Sequence, residues 1–289
     1  MQVHAPVMPG ETLSLLAVRP EGNYLDCTAG LGGHAALVAG RLTTGILIAN
    51  DRDPASLEIA RRNTAEWGGR IRFHQGTFGE LEEAVAQAGL TKLDGILADL
   101  GVSRYQLTEP LRGFSFTADG PLDMRMNQSM GMTAADLVNF TDEKALADLI
   151  YQLGEERRAR RVARAIVRVR PIRSTLHLAD VVLRAVPRTG HLHPATKTFM
   201  ALRMAVNDEP AELDRLLRIA PGLLRSGGRM VVISFMSMDD RKVKERFKSL
   251  GREGRATILT KHPLQPSEEE ITRNPASRSA KLRALEWSD

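Results

Sequence analysis

The residues most able to do chemistry lie where strand-like segments end. Asp26-Cys27-Thr28-Ala29-Gly30-Leu31-Gly32-Gly33-His34 passes from an extended pattern into a helical one, the place at which an open α/β sheet binds its ligand. Glycines there let a nucleotide approach the backbone closely. Asp51 follows Gly30 by 21 residues, at the end of the next strand, where an acidic side chain bonds ribose hydroxyls. The two features together point to an adenosine-type ligand. Gly30, Gly32 and Ala35 also fit a dinucleotide pattern, so a nicotinamide or flavin oxidoreductase is one alternative. A tight strand-to-helix turn with no ligand is another. Asp26 opposes the dinucleotide: a carboxylate one turn before the glycines repels a pyrophosphate but pairs with an ammonium, such as the one on the methionine moiety of S-adenosylmethionine. Asp99 closes a later strand and brings a further carboxylate to the same sheet edge.

These side chains need a parallel sheet to hold them. Apolar runs at 23–29, 45–50, 70–75 and 93–100 read as strands, and 34–42, 54–67 and 78–88 read as helices. That alternation implies βαβ units. A fifth strand, 228–235, comes much later, and the interval carries helical spacing at 143–154, 155–169, 175–186 and 194–206. The expected architecture is α/β, a Rossmann-like sheet with an inserted, mostly helical domain: a first core part at 1–106, a substrate-recognition insertion at 107–207 and a second core part at 208–289. Helices are expected at 210–224 and 239–250, and 257–261 with 281–287 should form a closing antiparallel pair.

Composition narrows the class. The chain has 289 residues, 40 Lys plus Arg against 35 Asp plus Glu, and 43% hydrophobic residues, values of a folded protein rather than a disordered one. Cys27 is the only cysteine, which excludes an internal disulfide and a cysteine-based zinc site, and no metal is expected. No signal-like start or long apolar run suggests secretion or a membrane, so a cytoplasmic protein is expected. Arginine supplies 32 of the 40 cations. Guanidinium groups suit phosphate, although genome composition would give the same bias.

Two stretches of the interval stand out. Arg112-Gly113-Phe114-Ser115-Phe116 and Asp119-Gly120-Pro121-Leu122-Asp123-Met124-Arg125-Met126 show neither period, and long irregular segments are usually functional. Arg157, Arg161, Arg164 and Arg168 recur at helical spacing beside the apolar Ala159, Val162, Ala163 and Ile166, a cationic stripe suited to a phosphate backbone. A solvated face paired with the acidic helix at 141–148 would look the same.

In its motifs the chain resembles the bacterial ribosomal RNA small-subunit methyltransferase H family, which methylates N4 of a cytidine in the decoding region of 16S RNA. The resemblance rests on His4-Ala5-Pro6-Val7, Gly32-Gly33-His34, Asp99 to Ser103 with Gln106, the RGFSF and DGPLDMRM segments, Gly154-Glu155-Glu156, Ala163 to Ile166, His193 to Thr196 with Phe199, Asn207, Ile233-Ser234-Phe235, Asp240-Arg241, and Asn274-Pro275 with Arg278 to Arg283. It spans nearly the whole chain. It implies that Gly32, Gly33, His34, Asp51, Phe78, Asp99 and Gln106 line S-adenosylmethionine, and that the partner is 16S rRNA within the small subunit. His34 reads equally as a helix-start residue bonding local backbone. A homodimer is left open.

Cytosine's exocyclic amine is a poor nucleophile because its lone pair is delocalised into the ring. A carboxylate that accepts its hydrogen bond and then its proton is therefore needed, and Asp99 is expected in that catalytic role. Ser103, Asp123 and Arg125 are expected to orient substrate, although Asp119 and Asp123 also suit turns that bond their own backbone. The target base must leave its stack. Phe114 and Phe116 then either stack on it or anchor the loop in the core. One departure stands out: the family commonly reads Ser-Phe-His-Ser-Leu-Glu-Asp-Arg where this chain has Ser234-Phe235-Met236-Ser237-Met238-Asp239-Asp240-Arg241. Met236 exchanges no proton and holds no phosphate, which makes a cofactor-binding assembly factor without turnover the second alternative.

Overall fold

Seven strands form one sheet: β1 (Tyr24–Asp26), β2 (Leu47–Asp51), β3 (Ile71–Gln75), β4 (Leu93–Asp99), β5 (Leu224–Ser234), β6 (Ala256–Ile258) and β7 (Lys281–Trp287). Their spatial order is β3-β2-β1-β4-β5-β7-β6. β1 to β5 pair in parallel, and β7 runs antiparallel to both neighbours. The computed structural model describes residues 6–188 and 192–288; His4 and Ala5 of the resemblance lie outside them. This is the expected α/β architecture, a Rossmann-like sheet with a helical insertion.

The chain divides into two compact units, Met1–Val102 with Ala211–Asp289, and Ser103–Pro210. In the first, α1 (Pro9–Leu16), α2 (Gly33–Ala39), α3 (Pro54–Asn63) and α4 (Leu81–Gln87) precede the insertion. The second contains α5 (Arg104–Thr108), α6 (Ala134–Phe140), α7 (Glu143–Gly154), α8 (Ala159–Arg168), α9 (Thr175–Ala185) and α10 (Ala195–Val206). α11 (Glu209–Leu223) leads back into the first unit, followed by α12 (Ser237–Arg252) and α13 (Glu268–Arg273).

The sheet is buried on both faces, which is why β4 reads as a near-continuous apolar run rather than an alternation. Leu25, Ile48, Ile96 and Val232 pack into one cluster with α4 and α11 residues, and Leu47, Ala49, Leu97 and Ile233 into another with Val38 and Leu57. The insertion has its own core, including Leu146 and Ile150 of α7, Val162 and Ile166 of α8, Val182 of α9 and Leu202 of α10. Gly154 closes α7 against α10 so tightly that a Cβ there would stand 2.5 Å from the Lys197 carbonyl oxygen.

Several boundaries differ from the sequence reading. The helix expected over 54–67 stops at Asn63, and Ala65–Arg70, which contains Gly68 and Gly69, winds into a 3₁₀ turn instead. β5 starts at Leu224, and the shift of its register between Leu93 and Gly95 absorbs the extra residues. The helical pattern at 155–169 is helical only from Ala159, because Glu155 takes φ +51° just beyond α7. Arg157 therefore lies in the preceding turn. Four short helices, α1, α5, α6 and α13, escaped the periodicity reading. α6 and α13 are set by caps: Thr133 and Asp136 form a reciprocal capping box, and Ser267 accepts from the Glu270 N–H.

Candidate active site

The glycine turn is held open by the next strand. Gly30 and Gly32 take φ of +51° and +87°, conformations that disfavour a side chain. At Gly32 a Cβ would also meet Thr64 Cγ2 at 2.9 Å and Ala60 Cα at 3.2 Å. Asp51 accepts the Gly30 N–H at 2.8 Å on Oδ2 and the Asp53 N–H at 2.9 Å on Oδ1, so one carboxylate pins the turn and its own loop. Each oxygen keeps a second lone pair for a hydroxyl. Burial pushes the Asp51 carboxyl up to about 6 despite those two bonds.

Thr28 and Asn50, which the sequence reading did not single out, fix the geometry around these carboxylates. The Asp99 N–H donates to Thr28 Oγ1 at 2.7 Å, and the Thr28 N–H donates to Asp26 Oδ1 at 3.0 Å, which couples the ends of β4 and β1. Buried Asn50 donates to the Cys27 and Gly76 carbonyls at 3.1 and 3.2 Å, and joins the loops after β1 and β3. The available signal was a lone amide within the apolar run Leu47–Asp51. His34 lies in the first turn of α2, buried, with Nε2 3.6 Å from Asp99 Oδ2. Phe78 opens the 3₁₀ turn after β3, half-buried, and its N–H donates to Glu212 Oε2 of α11 at 2.8 Å.

Among the buried polar atoms of this unit that find no hydrogen-bond partner among the described residues are Asp26 Oδ2, His34 Nε2 and Asp99 Oδ1, which lie around the glycine turn. Orphaned atoms of this kind are uncommon and call for an explanation. Burial pushes the Asp26 carboxyl up to about 6, with His34 and the Thr28 bonds pulling the other way and Asp99 adding to the rise. Two carboxylates and an imidazole with hydrogen-bonding capacity to spare suit a sulfonium ligand with an amino acid tail, and Gly32, Gly33, His34, Asp51, Phe78 and Asp99 all belong to this one unit. The residues present fit S-adenosylmethionine.

The remaining candidates belong to the insertion. Ser103 and Gln106 form a capping box at the start of α5, with Gln106 buried. Asp123 accepts from Arg125 Nε at 2.7 Å and Nη2 at 3.0 Å and from Gln128 Nε2 at 3.0 Å, contacts that offset its burial and hold its carboxyl below the usual range. Arg125 is thereby committed to a paired carboxylate. Phe114 is buried with the Arg112 guanidinium over its ring, and the Phe116 ring lies 4.8 Å from both His193 and Phe199. Both rings take part in the unit's own packing, the loop-anchor arrangement. On α8 the stripe is exposed, and Arg164 sits 3.4 Å from Glu143 of α7, the acidic partner the alternative reading required. Arg157, Arg161 and Arg168 have no such pairing among the described residues.

Comparison with known proteins extends over both units. The MraW methylase family profile matches residues 1–288. The ribosomal RNA small subunit methyltransferase H of Solibacter usitatus is 77% identical over 284 residues, 98% of this chain and 99% of that protein. The protein of the same name from Acidobacterium capsulatum is 50% identical over 293 residues, 98% of each chain. With the profile covering the glycine turn, the insertion and the closing antiparallel strand alike, the chain belongs to the MraW methylase family.

Proposed function

We propose that the protein transfers a methyl group from S-adenosylmethionine to N4 of a cytidine in the decoding region of 16S rRNA, within the small ribosomal subunit. The observation that carries this reading is the trio of orphaned polar atoms, Asp26 Oδ2 and Asp99 Oδ1 at the carboxyl ends of β1 and β4 and His34 Nε2 in the first turn of α2, in a member of a methylase family. Bound S-adenosylmethionine supplies an electrophilic methyl group on a positively charged sulfur. The chain's own residues do the rest. Asp51 accepts ribose hydroxyls, and Asp26 faces the ammonium. Asp99 Oδ1 accepts a hydrogen bond from the exocyclic N–H, concentrates electron density on N4, and takes up the proton that leaves as the new N–C bond forms. His34, 3.6 Å from the other Asp99 oxygen, steadies that carboxylate. The insertion serves RNA recognition through the exposed arginines of α8.

The same reading puts the protein in the cytoplasm with its substrate; no helix among the described residues is long and apolar enough to cross a membrane. Nothing in the chemistry requires a second copy of the chain. Incubation with labelled S-adenosylmethionine and immature small subunits, naked 16S RNA or DNA should label cytidine at N4 in RNA alone. Binding of the cofactor with no label in any substrate would favour the assembly-factor reading. Its one support is Met236, which caps α12 in place of the family's histidine. Reduction of a bound nicotinamide would overturn both.

A further inference from the structure

A cleft of about 400 Å³ lies in the first unit, between α12, β6 with the residues after it and the middle of β7. Buried Phe247 and half-buried Ile258 make its apolar floor, and Lys244, Lys248 and Lys261 stand exposed around it. Lys244 and Lys248 are one helical turn apart, which brings their Cβ atoms to about 6 Å. Several other cations nearby are matched. Arg283 donates to both Asp240 carboxylate oxygens at 2.7 and 3.1 Å, Lys281 is 3.9 Å from the same group, Lys242 pairs with Asp214 at 2.7 Å, and Arg246 donates to the Leu217 carbonyl. Lys244, Lys248 and Lys261 have no ion pair or hydrogen bond among the described residues. Three lysines lining one cleft with an apolar floor, none of them in an ion pair, suit an anion with an apolar body.

Strand register relates the cleft to the reacting edge. Lys281 pairs with Ser234 at the carboxyl end of β5, and Arg283 pairs with Val232 two residues earlier. The cleft therefore lies about 7 Å back along the sheet from that end, roughly two strand spacings to the side. We propose that it binds a nucleotide of single-stranded RNA, its phosphodiester held by Lys244, Lys248 and Lys261 and its nucleoside laid against half-buried Ile258. This rests on the RNA-methylation reading and adds a substrate contact outside the insertion: the nucleotide held there flanks the target.

The test replaces all three lysines by glutamine; they are exposed, and a thermal melt confirms the fold. Binding of a labelled single-stranded RNA oligonucleotide is then measured across a salt series. Counterion release contributes a log-log slope of about 0.7 per neutralised phosphate, so the slope of the variant should fall by up to about 2, with KM for small subunits raised and S-adenosylmethionine affinity unchanged. The charge-preserving triple Lys→Arg variant should keep the parental slope. An unchanged slope and KM in the glutamine variant would overturn the proposal, as would loss of binding to anionic phospholipid vesicles with RNA binding intact. Uridine monophosphate and inorganic phosphate serve as competitors, and displacement of RNA by phosphate as effectively as by the nucleotide would remove the nucleoside part. If the parent binds RNA with the expected lysine-dependent slope but labels no cytidine, the methylation reading fails and the cleft stands.

Discussion

The carboxylates proposed for different work at the ends of β1 and β4, buried Asp26 and half-buried Asp99, are separated by single substitutions. Asp99→Asn keeps the side chain's shape but removes the proton acceptor. Turnover should fall by ~10²–10⁴-fold, the usual contribution of a positioned acid or base, while cofactor affinity measured by calorimetry moves far less. Near-parental turnover at saturating cofactor would take Asp99 out of the mechanism. Asp26 affects stability as well as binding. Its folded carboxyl titrates near 6 because it is buried, above the unfolded value of about 3.9, so the native state holds the proton longer than the unfolded chain. Stability from this group is fully present below about pH 4 and is lost as pH rises through about 6. At pH 7.5 the ionised group then costs on the order of 2–3 kcal/mol in the ligand-free protein. Asp26→Asn retains an acceptor for the Thr28 N–H, so its Tm should exceed the parent's at pH 7.5 and the gap should close toward pH 4, while S-adenosylmethionine binds more weakly. A variant less stable than the parent at pH 7.5 would show that Asp26 is not held at a cost.

At the scale of elements, sequence periodicity located the strands and most helices because each long element carries its own pattern, 3.6 on α8 and α10 and apolar runs on β2 and β4. It failed where local chemistry overrides pattern: Glu155 in a left-handed conformation cuts the arginine stretch and moves Arg157 off the helix. Arg157 in that turn and Arg161 and Arg168 on α8 are nevertheless exposed without carboxylate partners among the described residues, whereas Glu143 offsets Arg164. Replacing those three by glutamine should flatten the salt dependence of RNA binding by up to about 2 in log-log slope, with cofactor affinity unchanged. An unchanged slope would make the stripe a solvated face. The same neighbour logic explains the DGPLDMRM loop: Asp123 and Arg125 read as substrate contacts in sequence, but the fold pairs them with each other.

At the scale of the whole molecule, two cores built from different parts of the chain should make the proposed cofactor and RNA roles separable. Ile150 is fully buried among α7, α8 and α10 residues, and Ile150→Ala should destabilise the insertion by about 2–5 kcal/mol through the cavity it leaves. Hydrogen exchange in α7 and α8 should accelerate while calorimetric binding of S-adenosylmethionine is unchanged; a parallel loss of cofactor affinity would show that the insertion is needed to hold the cofactor. The sequence by itself determined the alternation of strands and helices, the glycine turn with Asp26, Asp51 and Asp99 around it, and the presence of a helical insertion, because periodicity, turn chemistry and motif spacing are local properties. The tertiary structure alone decided which polar atoms are partnered. Thr28 and Asn50 tie strand ends far apart in sequence, Asp240 neutralises Arg283 across 43 positions, and Lys244, Lys248 and Lys261 meet around one cleft from two elements. Pairing, burial and the orphaned atoms at Asp26, His34 and Asp99 depend on long-range packing, and no window of sequence contains both members of such a pair.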